Sequence, residues 1–207
     1  MVATDREKVT ASGNPATPLR YDGAERMSDN FSQLLEWART WRDDVEALKK
    51  VVSADKAHKA VRRYAAAALN YVLSKMDLIP DWEPGLGILD DVMVIRICAV
   101  HGSKAAGDED GLDDATSLRF HTLANQEERI ADLLGPLLHG KLRAYSDKVL
   151  LQAVRQRTPD SIVADPAVRA RFFAEVDEVV RSLPAAQPGD PAELERKLKT
   201  YLQAKLK

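Results

Sequence analysis

Apolar positions along this chain recur at spacings of three and four, the period of one face of an α-helix, and nowhere alternate as a strand would. Phe31, Leu34, Leu35, Ala38, Trp41, Val45 and Leu48 form the first such stripe, which predicts a helix opened by Ser28 as N-cap and running to about Val52. A second helix is expected from about Asp55 to Ser74, with Ala57, Ala60, Val61, Tyr64, Ala68 and Tyr71 on one broad face. A third starts near Gly87 or Leu89 and continues to about His101. Between them lies a turn rich in Pro, Gly and Asp. In the remaining half the pattern predicts further helices over Leu112 to Leu134, Pro136 to about Gln156, Pro166 to about Leu183 and Pro191 to about Lys205, several of them with Pro in the first turn.

The expected fold is therefore all-α: a helical hairpin packed by a preceding helix and followed by a helical C-terminal region. Residues 1–27 mix Gly, Pro, Ser, Thr and charge without a sustained apolar period, and read as a mobile tail. The organisation expected after the tail is a helical unit over 28–103, an acidic, glycine-containing linker over 104–114 that composition makes solvent-facing, and the helical region 115–207.

The segment Ser74-Lys75-Met76-Asp77-Leu78-Ile79-Pro80-Asp81-Trp82-Glu83-Pro84-Gly85-Leu86-Gly87-Ile88-Leu89-Asp90-Asp91 joins two of the most apolar stretches of the chain. Pro80 and Pro84 each remove a backbone donor, and Gly85 and Gly87 open backbone angles closed to other residues, so a compact, defined path is expected. The segment resembles the hallmark of the YkvA family, catalogued as domain of unknown function twelve-thirty-two. Ser74, Asp77, Leu78, Ile79, Pro80, Asp81, Pro84, Gly87, Leu89, Asp90 and Asp91 stand at the fixed positions of that pattern. The resemblance covers roughly residues 55–103. It implies a helical hairpin and names no activity.

Two readings of the aspartates compete. Asp90 and Asp91 fall in or beside the first turn of the third helix, where carboxylates meet the positive end of the dipole, and Asp77 and Asp81 suit Asx turns. Alternatively Asp77, Asp81, Asp90 and Asp91 assemble an oxygen-rich site for Mg²⁺ or Ca²⁺, with Glu83 within reach. Neighbouring helical residues point about 100° apart, which makes it hard for Asp90 and Asp91 to face one ion. Arg96, set between Ile95 and Ile97, needs a carboxylate if buried. Asp77 or Asp81 across the hairpin is the expected partner, because Asp90 and Asp91 lie at the wrong spacing on its own helix.

Other chemistry is sparse. His58, His101, His121 and His139 are too dispersed for a zinc motif, and aligning Asp110-Gly111 to a calcium loop puts Ala106 and Ser117 at the first and last ligand positions. Phosphate-binding glycine loops and serine-hydrolase signatures do not occur. Lys56, Lys59, Arg62 and Arg63 make a basic face on the second helix that reads first as solvated and second as a contact for a partner or an anionic membrane. Trp82, at the tip of the turn, either packs near Trp37 or Trp41 or stays available to a partner or membrane interface.

Composition narrows the class. With 45% hydrophobic and 30% charged residues and a net charge of −2, the chain reads as globular and soluble, and no nucleic-acid partner is expected. The single cysteine, Cys98, lies in an apolar run and reads as a buried hydrophobe, which fits a reducing cytoplasm. Neither a signal peptide nor a membrane span is predicted. The expectation is a cytoplasmic, non-enzymatic helical interaction or scaffold module with an unidentified protein partner and no cofactor. A metal-dependent hydrolase acting through the aspartates and a peripheral membrane-binding module using Trp82, Arg62 and Arg63 are the alternatives.

Overall fold

The computed structural model describes residues 23–74, 77–107, 109–183 and 189–207, with side chains from Asp29 onward. Of the tail expected over residues 1–27, residues 1–22 lie outside the described ones, and residues 23–27 belong to the first helix. Among the described residues there are eight helices and no strand: α1 (Gly23–Ser53), α2 (Lys59–Val72), α3 (Leu89–Ala106), α4 (Asp114–Asn125), α5 (Glu127–Leu151), α6 (Pro159–Ala164), α7 (Pro166–Ser182) and α8 (Pro191–Lys205). The all-α expectation holds.

The helix α3 organises the molecule. From Leu89 to Val100 every residue is buried, so this stretch has no solvent-facing side, the signature of a helix surrounded by others. It packs most extensively on α2, with α1, α4 and α5 completing its surroundings. The stripe on α1 does what its spacing predicts: Phe31, Leu34, Ala38, Trp41, Val45 and Leu48 are all buried. The start differs, however, since α1 begins at Gly23 and Ser28 lies within the helix rather than capping it. α2 begins later than its pattern suggests, after His58, whose ring nitrogen Nδ1 accepts from the Ala60 amide at 3.3 Å. α3 runs further, to Ala106, where Gly107 turns the chain away with φ 67°.

In the second half, the expected helix over Leu112 to Leu134 is divided at Gln126 into α4 and α5. The break expected between Leu134 and Pro136 is a kink within α5, made by Gly135 at φ 73°. The short helix α6 is not visible as a period. It is fixed by a capping box, in which the Ser161 amide donates to Thr158 Oγ1 at 3.2 Å and the Thr158 amide donates to Ser161 Oγ at 3.0 Å. α7 and α8 open as predicted, with Asp165 and Asp190 as N-caps and Pro next in sequence. Their apolar residues Phe172, Val176, Leu194, Leu198 and Leu202 join the same core as α1–α3.

Two polar expectations are corrected by this packing. The stretch around Asp110 faces solvent at Gly107, Glu109, Gly111, Asp113 and Asp114, but Asp110 itself is buried: its carbonyl accepts from the His58 amide at 2.7 Å, and its carboxylate accepts from Ser117 Oγ at 2.5 Å and the Leu112 amide at 2.8 Å. Gly111, at φ 70°, lies so close to the Lys56 carbonyl that a Cβ would collide with it. Arg96 does not pair with Asp77 or Asp81. It donates to Asp44 of α1 at 3.1 Å, to the Gln126 side chain at 2.8 Å and to the Val92 carbonyl at 2.9 Å, with its guanidinium 4.3 Å from the centre of the Trp37 ring. Asp44, fully buried, also pairs with Arg119 of α4. Arg96 stands six residues beyond Asp90, about 9 Å along the helix axis, which takes it out of reach of the turn and into reach of α1.

Candidate functional site: the aspartate turn

The chain between α2 and α3 is anchored by its own apolar residues. Leu78, Ile79, Leu86 and Leu89 are buried in the common core. Backbone bonds close the loop between these anchors: the Glu83 amide donates to the Pro80 carbonyl at 2.8 Å, and the amides of Leu86 and Gly87 donate to the Glu83 carbonyl at 3.2 and 3.0 Å. Gly85 takes φ 76°, and Gly87 packs so tightly on Asp81 that any Cβ would strike the Asp81 backbone. This is why both glycines occur in so short a segment.

Asp90 is the centre of the arrangement. One carboxylate oxygen, Oδ2, accepts from the Tyr71 hydroxyl at 2.7 Å and from the Ile79 amide at 3.1 Å. The Tyr71 oxygen in turn accepts from the Leu78 amide at 2.9 Å. Two loop amides that have no helix or strand to join are thus satisfied by one aspartate and one tyrosine, which ties the loop to both helices. The other oxygen, Oδ1, is buried with no hydrogen-bond partner among the described residues. No side-chain cap hydrogen bond closes the N-terminus of α3, whose N-cap position is Ile88. Asp90 and Asp91 lie in its first turn, so the expected dipole contact is present while the expected capping bond is not.

Asp91 is buried next to Asp90, and Asp77 and Asp81 are half-buried. Burial pushes all four carboxyls up: Asp77 to about 7, Asp90 to about 6, Asp81 above its ordinary value and Asp91 well above. Repulsion from neighbouring aspartates adds to burial at Asp77 and Asp91, while hydrogen bonds from Tyr71 and the Ile79 amide pull Asp90 part of the way back. Lys205 at the end of α8 lowers Asp77 through its charge. Among the described residues none of the four aspartates has a salt bridge, and no group of three or more His, Cys, Asp or Glu is placed to hold a metal ion.

Residues 61–96 match the model of a family described as protein of unknown function (DUF1232). The match runs from α2 through the turn into α3 and ends on Arg96. Neither a curated protein nor a solved structure matches the chain. The matched segment therefore contains the Tyr71–Asp90 tie, and its last residue reaches out of the segment to Asp44 and Gln126.

The other family-pattern residues serve the same frame. Ser74 is buried at the exit of α2, and Pro80 and Pro84 flank the tip of the turn. The tip itself is different: Trp82 is 75% exposed, whereas Trp37 and Trp41 are in the core. Of the basic face of α2, Lys56 and Lys59 are exposed as expected, while the two arginines are engaged. Arg62 is buried, donating to the Val52 carbonyl at 3.0 Å and to Asp55 at 3.0 Å, and Arg63 pairs with Asp160 at 2.9 Å. Both are drawn inward because α6 packs against α2.

Several participants were not singled out in the sequence. Tyr71 reads there only as one apolar position among six. Tyr201 of α8 donates to Glu83 Oε2 at 2.7 Å, which brings the end of the chain to the turn. Nothing in the local pattern marks a partner 118 residues away.

Proposed function

We infer that the chain is a non-enzymatic helical interaction module of the cytoplasm, in which the DUF1232 segment is a frame that holds the 80–84 turn out to a protein partner. The observation that carries this reading is the division of labour within one short loop. Asp90, the most deeply buried of the turn carboxylates, spends one oxygen on Tyr71 and on the Ile79 amide, while the largest side chain of the loop, Trp82, is left 75% exposed. Large aromatic residues fixed on a rigid turn contribute much contact area for little lost rotamer freedom, which is why they anchor interfaces. Cys98, deep in the core with its thiol pushed up to about 12 by burial, is inert as a nucleophile and as a crosslink. No described helix is long and apolar enough to cross a membrane.

The test is a photo-crosslinking amino acid placed at position 82 and, for comparison, at the equally exposed position 137 on α5, followed by illumination in a cell extract. Discrete protein adducts from position 82 alone are expected. Absence of adducts from position 82, or magnesium-dependent turnover of ester or phosphate-ester substrates that Asp91→Asn abolishes, overturns the reading.

A further inference from the structure

The exposed indole does not stand alone. Asp77, Asp81 and Glu83 surround it in sequence and are each partly exposed. Glu83 is engaged by Tyr201, and Asp77 feels Lys205. Asp81 has neither a salt bridge nor a hydrogen bond to its carboxylate among the described residues. A tryptophan next in sequence to a carboxylate with no salt bridge among the described residues is two parts of a three-part arrangement that the same molecule completes in its interior. There, Arg96 stacks on Trp37 at 4.3 Å and pairs with Asp44 at 3.1 Å. Stacking of a guanidinium on an indole face, with a carboxylate to take its hydrogen bonds, combines the two strongest recognition modes of that cation.

We propose that the turn of residues 77–84 receives a lysine- or arginine-bearing segment of a partner protein, whose cation stacks on Trp82 and pairs with Asp81. The inference rests on the interaction-module reading and names the chemistry of its partner. Charge selects this partner over the alternatives. An anionic membrane or a nucleic acid would meet the carboxylates that flank Trp82 in sequence; the arginines of α2 that would have attracted either are engaged by Asp55 and Asp160, and the exposed Lys56 and Lys59 stand at the far end of α2, about 20 Å along its axis from the turn. The repulsion among the turn carboxylates, which helps to hold Asp77 protonated to about pH 7, is relieved by an incoming positive charge and aggravated by a negative one.

The experiment uses the full chain and reads tryptophan emission, with Trp82→Phe defining the contribution of the buried Trp37 and Trp41. A short arginine-serine peptide, its glutamate-serine counterpart, vesicles of phosphatidylcholine with phosphatidylserine, and magnesium chloride are titrated separately. The arginine peptide alone is expected to give a saturable change that weakens with salt. Asp81→Asn, read by emission, and Trp82→Ala, read by titration calorimetry because it lacks the reporting indole, should each lower its affinity by about two- to fivefold, the range that exposed cation–π contacts and surface ion pairs convert to. Both should leave thermal unfolding unchanged. Asp132→Asn, on the exposed surface of α5, should leave affinity unchanged. The proposal is overturned if Asp132→Asn weakens binding as much as Asp81→Asn, if vesicles or magnesium produce the Trp82 signal instead, or if the peptide produces none. Persistence of position-82 adducts in that last case would leave the module reading standing and remove only the basic partner.

Discussion

Buried charge is handled in opposite ways at the two ends of the first half of α3. Around Arg96 it is compensated: a fully buried carboxylate, Asp44, sits between two arginines, and the whole cluster bridges α1, α3 and α4. Burial still drags Arg96 down to about 10 and raises Asp44, against the pull of their mutual attraction. Around Asp90 the charge is not compensated. Two buried and two half-buried carboxylates gather without a salt bridge among the described residues, and Asp90 is held by a hydroxyl and an amide instead. The contrast teaches that the motif's acids do not serve as a clasp for Arg96. One cluster locks helices that are distant in sequence, and the other shapes a loop whose outer face is left open.

The largest effect should come from breaking the compensated cluster. Arg96→Met leaves Asp44 buried with Arg119 as its remaining partner and strands the Trp37 face, so a loss of about 3–5 kcal/mol is expected in chemical denaturation. Adding Asp44→Asn should recover part of it, because the stranded charge is then gone. A loss under about 1 kcal/mol would mean that Arg119 alone suffices, and would reduce the contrast to one of geometry.

Next comes the loop tie. Asp90→Ala removes the acceptor of the Tyr71 hydroxyl and the Ile79 amide and should cost about 1–3 kcal/mol, the usual penalty for stranding buried donors. Tyr71→Phe, which deprives the Leu78 amide of its acceptor, should fall in the same range. If either variant melts with the wild type, the loop is held by its apolar anchors and not by Asp90.

The uncompensated cluster also predicts a pH dependence with a definite sign. In the folded protein Asp77 and Asp90 titrate at about 7 and about 6, above the ordinary value of 3.8 that applies when unfolded. The folded state therefore holds more protons in this interval, and stability present in full below about pH 4 is lost as pH rises through 6 and 7. Melting temperature should decline from pH 5 to 8, and Asp77→Asn should flatten the decline. A melting temperature that rises over the same interval would show that a cation already neutralises the cluster.

The smallest effect is expected at the tip. Trp82→Ala removes a side chain that is mostly in solvent, and unfolding should change by no more than about 0.5 kcal/mol while crosslinking and peptide binding suffer. A loss of several kcal/mol would place Trp82 in the core after all and end its use as a docking residue.

Much of the architecture was already determined by local pattern. The three-and-four spacing from Phe31 to Leu48, the Asp-Pro openings of α7 and α8, the break at Gly135-Pro136 and the glycine- and proline-directed turn each depend on neighbours within a few residues, and a single sequence displays such neighbours directly. The burial of Cys98 followed from its apolar run in the same way. What the chain could not display is which polar groups would meet. Arg96 found Asp44 across 52 residues, Arg62 found the Val163 carbonyl across 101, and Tyr201 found Glu83 across 118. Arg62 and Asp110, both legible as surface charge, were buried because α6 and the α3–α4 connection dock against α2 and its entry. Local structure is set by backbone sterics and side-chain period, which act over one or two turns. The partner of a buried charge is set by whatever helix packing brings within about 3 Å, and that was decided only when α1, α4 and α6 closed around the hairpin.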